Sequence, residues 1–322
     1  MSRARVDAAS VSRPRILDGL VIALIVVACS APRANREVDA SREGDASAPL
    51  GPIVPGGALT GVDRMRDAAC ASAHRWAVGV VGRVLDESGA ARVGVFGQAC
   101  VALASGRRVC LAPSQTSSDG VFTVALRADM RCIDEVALRV FDQVGSSATL
   151  YAIAGGDAVD GVVYANGDLV MVRLAPARML PPIGDTSAMR EVILEDGAVL
   201  TLAPASIDAT RYAALASRTL RGDEVAARSL GDGSTFDTLL ALGPEAPLSG
   251  PTTLRMSTRL PAGTSVEIDA LVGLYPATHG PASIGEGRWL PIATAIVTSE
   301  GTVETPMNEG PIALGWIGVR AR

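Results

Sequence analysis

The chain has 322 residues, 48% of them hydrophobic and only 3% aromatic, with a formal net charge of −5. That length suits two modest domains better than one, and the apolar content is enough for real cores built from Val, Leu, Ile and Ala. All 29 basic residues are arginine, which reads as the codon bias of a GC-rich genome, and they are scattered. With no basic stripe and no interleaved aromatics, nucleic acid is discounted as a partner.

Arg3, Arg5, Arg13 and Arg15 precede the apolar run Ile16 to Cys29, ILDGLVIALIVVAC. The run is too short for the ~20 residues of a permanent membrane helix, so a secretory signal is expected. Asp18 is a blemish near its start, but Gly19 onward is clean. Its end, Val26-Val27-Ala28-Cys29, resembles the lipobox of bacterial lipoproteins. The resemblance implies cleavage after residue 28, acylation of Cys29 and membrane attachment through lipid, each buried methylene adding ~0.8 kcal/mol. Removing residues 1–28 leaves 294 residues and takes the charge from −5 to −7. A plain cleaved signal or a short anchor, with Cys29 an ordinary thiol, is the bland alternative. Ser30 resembles the residue that favours outer-membrane sorting in enteric bacteria.

Residues 29–75 are expected to be a tether, because SAPRANREVDASREGDASAPLGPIVPGGALTGVD is rich in Ala, Ser, Pro, Gly and charge without an apolar period. Within it, DRMRDAACASAHRWA predicts a short helix over Met65 to Ala77, with His74 facing solvent or packed.

Four cysteines remain within 63 residues: Cys70, Cys100, Cys110 and Cys132. In an exported chain they imply two disulfides, and four cysteines allow three pairings. Cys100 and Cys110 flank the turn at Ala104 to Arg107 and could bridge a hairpin, leaving Cys70 to tie the incoming segment to Cys132. A metal site is the rival reading, but there is no CxxC, and the two histidines, His74 and His279, lie far apart.

Residues 76–175 read as strands: Val78 to Val84, Val93 to Leu103, Val121 to Leu126, Val136 to Phe141, Ala148 to Ile153 and Leu169 to Leu174. Short strands with a turn every ~8 to 12 residues predict an antiparallel β-sandwich. GRVLDESGAARVGVFGQACVAL followed by TSSDGVFTVAL resembles the carboxypeptidase regulatory-like domain, a transthyretin-like sandwich. The match rests on the turn from Gly82 to Gly89 and on Thr116 to Phe122. It implies an accessory or structural role, with Asp119 a turn carboxylate.

A proline hinge over residues 176–186 is expected to end strand pairing. Residues 187–322 predict a second sandwich, from strands at Glu191 to Leu202, Phe236 to Leu242, Thr252 to Ser257, Ser265 to Leu274, Leu290 to Ser299 and Ile312 to Val319. Ile207 to Leu220, rich in Ala, Arg and Leu, predicts a helix. Thr252 to Leu254 behind Pro251, Leu260 to Thr264 and Trp289 resemble the sandwich module of netrin receptors, ankyrins and zonula occludens scaffolds, which implies scaffolding. Ala203 to Ser206 and the insertion Tyr275 to Gly287 depart from that pattern.

The fold class expected is therefore all-β, two antiparallel sandwiches after a disordered tether. Chemistry is sparse: no GxxxxGK[ST], GxGxxG or GxSxG stands in a suitable setting. Glu195-Asp196 and Asp223-Glu224 are solvated carboxylate pairs, and Asp232 to Ser234 and Asp157 to Asp160 lack a calcium loop's ligand density. No catalytic residue, cofactor or metal is assigned. The candidate residues for a binding patch are Trp289, Trp316, Tyr151 and Tyr275. The expectation is a lipid-anchored envelope or surface protein that binds an envelope protein or polysaccharide, with a carboxylate-based hydrolase acting on polysaccharide as the alternative.

Overall fold

A computed structural model describes residues 52–180, 188–194, 196–208, 211–250, 252–275 and 285–322. The signal, Cys29, residues 30–51, most of the hinge, Glu195 and His279 lie outside the described residues.

The first half folds into two facing sheets. One carries Gly79–Leu85, Val121–Ala125, Val162–Tyr164 and Leu169–Val170; the other carries Arg75–Trp76, Phe96–Leu103, Arg108–Cys110, Ser114–Gln115, Cys132–Phe141 and Leu150–Ala154. Strand Phe96–Leu103 alternates half-buried and buried residues along its length, as the two-residue side-chain period of a strand with one covered face requires. Its inward residues Ala99, Val101 and Leu103 meet Val80, Val84, Phe122 and Val124 of the opposite sheet. The smaller sheet is mixed: Val162–Tyr164 and Leu169–Val170 run parallel to Gly79–Leu85.

The second half is antiparallel throughout. Arg178–Met179, Ala214–Arg221, Thr238–Gly243, Trp316–Ala321, Ser265–Leu271 and Trp289–Ile296 make the larger sheet in that spatial order, and Arg190–Ile193, Val199–Leu202, Thr252–Ser257 and Thr302–Glu304 the smaller. Among the described residues strands of the two halves do not mix, yet their cores do. Every residue of Thr238–Gly243 is buried. Leu240 and Leu242 face the second sandwich's own core, whereas Leu239 and Ala241 join Ala216, Leu220, Leu271 and Trp316 in the core of the first. A strand covered on both faces carries a continuous apolar run, here Leu239 to Leu242. Each leucine so buried is worth about 1.5–3 kcal/mol, so the shared layer holds the halves together. Polar ties line the seam: Trp316 Nε1 donates to the Thr149 carbonyl at 2.7 Å, Trp289 Nε1 to that of Leu230 at 3.1 Å, and the Val170 amide to Ser229 Oγ at 2.9 Å.

Four expectations need correction. Residues 65–77 form turns and a strand, not a helix. The Arg66 guanidinium binds the carbonyls of Cys70, Ala71 and His74, and Arg75–Trp76 pairs with Cys132 and Ile133. Residues 207–220 hold no described helix either: Ala214–Arg221 is a strand paired on both sides, and the α-helix of this region is the four-residue Val225–Arg228. The hinge does not end pairing at once, because Arg178–Met179 pairs with Ala214 and Leu215. Lastly, the tether expected over residues 29–75 is packed from Ile53 on. Leu59 is buried, and Ile53 and Val62 rest with it on Val78, Val81, Val121 and Val162, while the Gly56 amide donates to Thr123 Oγ1 at 2.8 Å.

Candidate functional site

The six-stranded sheet of the first half turns its outer face toward the second half. Phe96 and Cys100 point outward on one strand and Ala137, Arg139 and Phe141 on the next, as the alternation of each strand dictates. Phe96 and Phe141 stack at 5.6 Å, with the Arg139 guanidinium 4.6 Å above the Phe141 ring. Two arms of the second half reach over this face, Val272 to Tyr275 and Gly285 to Arg288. They are stitched together by the Val272 amide to the Arg288 carbonyl and the Gly287 amide to the Val272 carbonyl, both 2.8 Å. Beneath them lies a cavity of about 250 Å³, lined by the Cys100–Cys110 disulfide, Arg108 and Ala137 on one side and Val272, Leu274 and Glu286 on the other.

Two carboxylates of opposite character stand here. Glu245 is saturated: the Tyr151 hydroxyl donates to it at 2.5 Å, the Leu274 amide at 2.9 Å and Arg139 at 3.3 Å. Burial and the Glu245 charge push the Tyr151 hydroxyl up, so it stays a protonated donor. Glu286 is starved. Its Oε2 is buried with no hydrogen-bond partner among the described residues, and its Oε1 lies 3.6 Å from Cys110 Sγ, a sulfur that carries no proton in the disulfide. Burial pushes its carboxyl up, aided by Glu245 and opposed by Arg139 and Arg108. Arg108 and Arg288 both pair with Glu135, closing the rim. A mostly apolar cavity with one carboxylate unsatisfied among the described residues suits a ligand that donates a hydrogen bond or carries positive charge.

The sequence-derived residues fall in several places. Both disulfides form, Cys70–Cys132 at 2.08 Å and Cys100–Cys110 at 2.06 Å. They place the chain's maturation in an oxidising compartment. Trp289, Trp316, Tyr151 and Tyr275 do not make an exposed patch. Trp316 and Tyr151 are each 2% exposed, and half-buried Trp289 packs at 4.5 Å on Phe236. The reason is the shared layer: Thr238–Gly243 and the first four residues of Trp316–Ala321 are buried throughout, so Trp316 fills the seam and Tyr151 and Trp289 pack into the same core. Tyr275, half-buried, borders the same seam beside Tyr151, Glu245 and Trp316.

Other singled-out groups have structural partners. His74 Nδ1 meets Asp134 at 2.5 Å, and Asp119 accepts from Ser117 Oγ at 2.5 Å within its turn. Asp196 accepts from Ser217 Oγ and Thr219 Oγ1 at 3.0 and 2.6 Å, while Asp223 and Glu224 flank Arg221. Asp232 lies exposed in a 3-10 turn, and Asp157 and Asp160 are exposed loop residues.

Glu245, Glu286, Arg108 and Arg139 were not singled out from sequence. A signal for two of them existed: Glu286 stands between Gly285 and Gly287 at the end of the long insertion, and Glu245 follows Gly243-Pro244 in an otherwise apolar stretch. Among the described residues no helix is long and apolar enough to cross a membrane. No family model matches the chain, and no curated protein matches it.

Proposed function

We propose that the chain is an exported envelope protein, held to a membrane by acyl chains on Cys29, that serves a non-catalytic binding or structural role through the cavity between its halves. The outer membrane is the favoured location, facing the periplasm or the surface, on the strength of Ser30 after the cysteine. The observation that carries the binding reading is the cavity under the Val272 and Gly285 arms, lined from both halves and containing an unsatisfied carboxylate. An envelope polysaccharide or an envelope protein is the ligand class. The facing sheets of the first half and the Asp119-Gly120 turn support a carboxypeptidase regulatory-like identity for it, and the antiparallel second half supports the netrin-receptor-type module.

Two measurements test this. Labelled fatty acid enters the wild-type chain and not Cys29→Ala; equal labelling removes the anchor. Immobilised envelope polysaccharide or envelope protein retains the chain, and Glu286→Gln weakens retention; unchanged retention moves binding elsewhere. One observation favours a hydrolase as a second reading, namely that two carboxylates share the seam, Glu245 held by the Tyr151 hydroxyl and Glu286 with a buried oxygen that has no partner among the described residues. Turnover of envelope polysaccharide that Glu286→Gln abolishes while leaving binding intact decides for that reading.

A further inference from the structure

We propose that the Cys100–Cys110 pair, when reduced, forms with Glu286 a three-ligand site for a thiophilic divalent cation of the zinc class. This site exists only in the reduced chain and does not depend on what the cavity binds in the oxidised one.

The geometry is close to complete. The two sulfurs and a Glu286 oxygen lie within 4.8 Å of one another, and among the described residues this is the one group of three such ligands. Zinc bonds of ~2.3 Å to sulfur and ~2.0–2.2 Å to oxygen, opened at the tetrahedral angle, separate a sulfur from an oxygen by ~3.6 Å and two sulfurs by ~3.8 Å. Cys110 Sγ and Glu286 Oε1 are already 3.6 Å apart. Reduction breaks the bond between the sulfurs and lets them part to van der Waals contact, close to the ~3.8 Å that a zinc ion spans.

The backbone would hold them there. Cys100 and Cys110 face each other in a ladder that also pairs Val101 with Val109 and Ala102 with Arg108, so their proximity does not depend on the disulfide. The site is also incomplete as it stands, because among the described residues Glu286 Oε2 is buried without a partner, and no proton is available from the sulfur beside it. Arg108, lining the cavity, offsets part of the charge that two thiolates and a carboxylate add.

Reduction needs a dithiol, such as a thiol-disulfide oxidoreductase of the envelope. Its thiolate attacks the sulfur of exposed Cys110 to give a mixed disulfide and release Cys100. Its second thiol then displaces Cys110, so the dithiol is oxidised by two electrons and the protein leaves with two thiols. The cation displaces two thiol protons, takes Glu286 as third ligand and keeps an open position for water. Cys70–Cys132 differs, since Cys70 is buried and that pair belongs to no such group among the described residues.

The test uses the intact chain, reduced with a phosphine under argon, desalted and titrated with Co²⁺. A thiolate-to-cobalt charge-transfer band saturating at one ion per chain and displaced by Zn²⁺ is expected, with none in the oxidised chain. Glu286→Gln should weaken binding at least about tenfold. Any of four results overturns the proposal: no band although alkylation finds Cys100 and Cys110 free; a band that survives Cys100→Ser with Cys110→Ser; an unchanged affinity in Glu286→Gln; or loss of β-sheet circular dichroism when this disulfide alone is reduced.

Discussion

Tyr151 and Glu245, 94 positions apart and on opposite sides of the hinge, meet through a 2.5 Å hydrogen bond in which the phenol donates to the carboxylate. The same carboxylate receives the Leu274 amide, so it fixes an arm of the second half onto the face of the first. Tyr151→Phe removes the shortest of these bonds and leaves a buried acceptor short of a donor. A loss of about 1–3 kcal/mol is expected in urea unfolding. Because the halves share a core layer, fluorescence and far-ultraviolet circular dichroism should report one coincident transition; two separate transitions would show that the seam is weak.

The disulfides should contribute unequally. Cys70–Cys132 closes a loop over 62 positions and Cys100–Cys110 one over 10. Chain-entropy arithmetic gives about 4 kcal/mol for the longer and about 3 kcal/mol for the shorter. Replacing Cys70 and Cys132 by alanine should therefore lower the denaturation midpoint more than replacing Cys100 and Cys110.

Asp269 gives the chain a pH-dependent cost. It is fully buried beside Arg320 at 2.6 Å, and burial pushes its carboxyl up to about 6, with Arg320 opposing and Glu267 assisting. A carboxyl whose folded value lies above its unfolded one holds its proton better when folded. Its contribution is thus favourable at low pH and is lost as pH rises from about 4 through 6. Stability of Asp269→Asn relative to wild type should improve across that window by about 2–3 kcal/mol, read from chemical denaturation at pH 4 and pH 7. A flat difference would mean that Asp269 is charged in the fold at both values.

Phe122 occupies its place only because two neighbours lack side chains. A Cβ on Gly97 would lie 2.2 Å from the ring and one on Gly82 2.7 Å from it. Gly97→Ala should cost about 1–3 kcal/mol or more through overpacking. Phe122→Leu in the same chain should recover part of that loss, so that the double variant is less destabilised than the sum of the singles.

What was readable in the sequence was local. Thr116 to Phe122 announced its turn through Asp119-Gly120; Gly120 takes a φ of 77°, and a Cβ there would lie 2.4 Å from the Val84 carbonyl oxygen. The hairpin Arg190–Ile193 with Val199–Leu202 followed from its glycine turn in the same way. Ala214–Arg221 misled because Ala, Leu and Arg favour helices in isolation, while its strand state is fixed by neighbours on both edges that lie far away in sequence. The cavity was illegible for a related reason. Cys110 and Glu286 are 176 positions apart, and no local pattern records that the arm at Gly285 comes to rest over the hairpin.

The strand Thr238–Gly243, roofed above and below, limits how the chain can be divided. A recombination event that separated the halves at the hinge would leave Leu239 and Ala241 of one fragment, and the aliphatic surface they cover in the other, bare to water. Each sheet pair expressed alone would carry that uncovered apolar layer into water, so neither is expected to stay dissolved without the other.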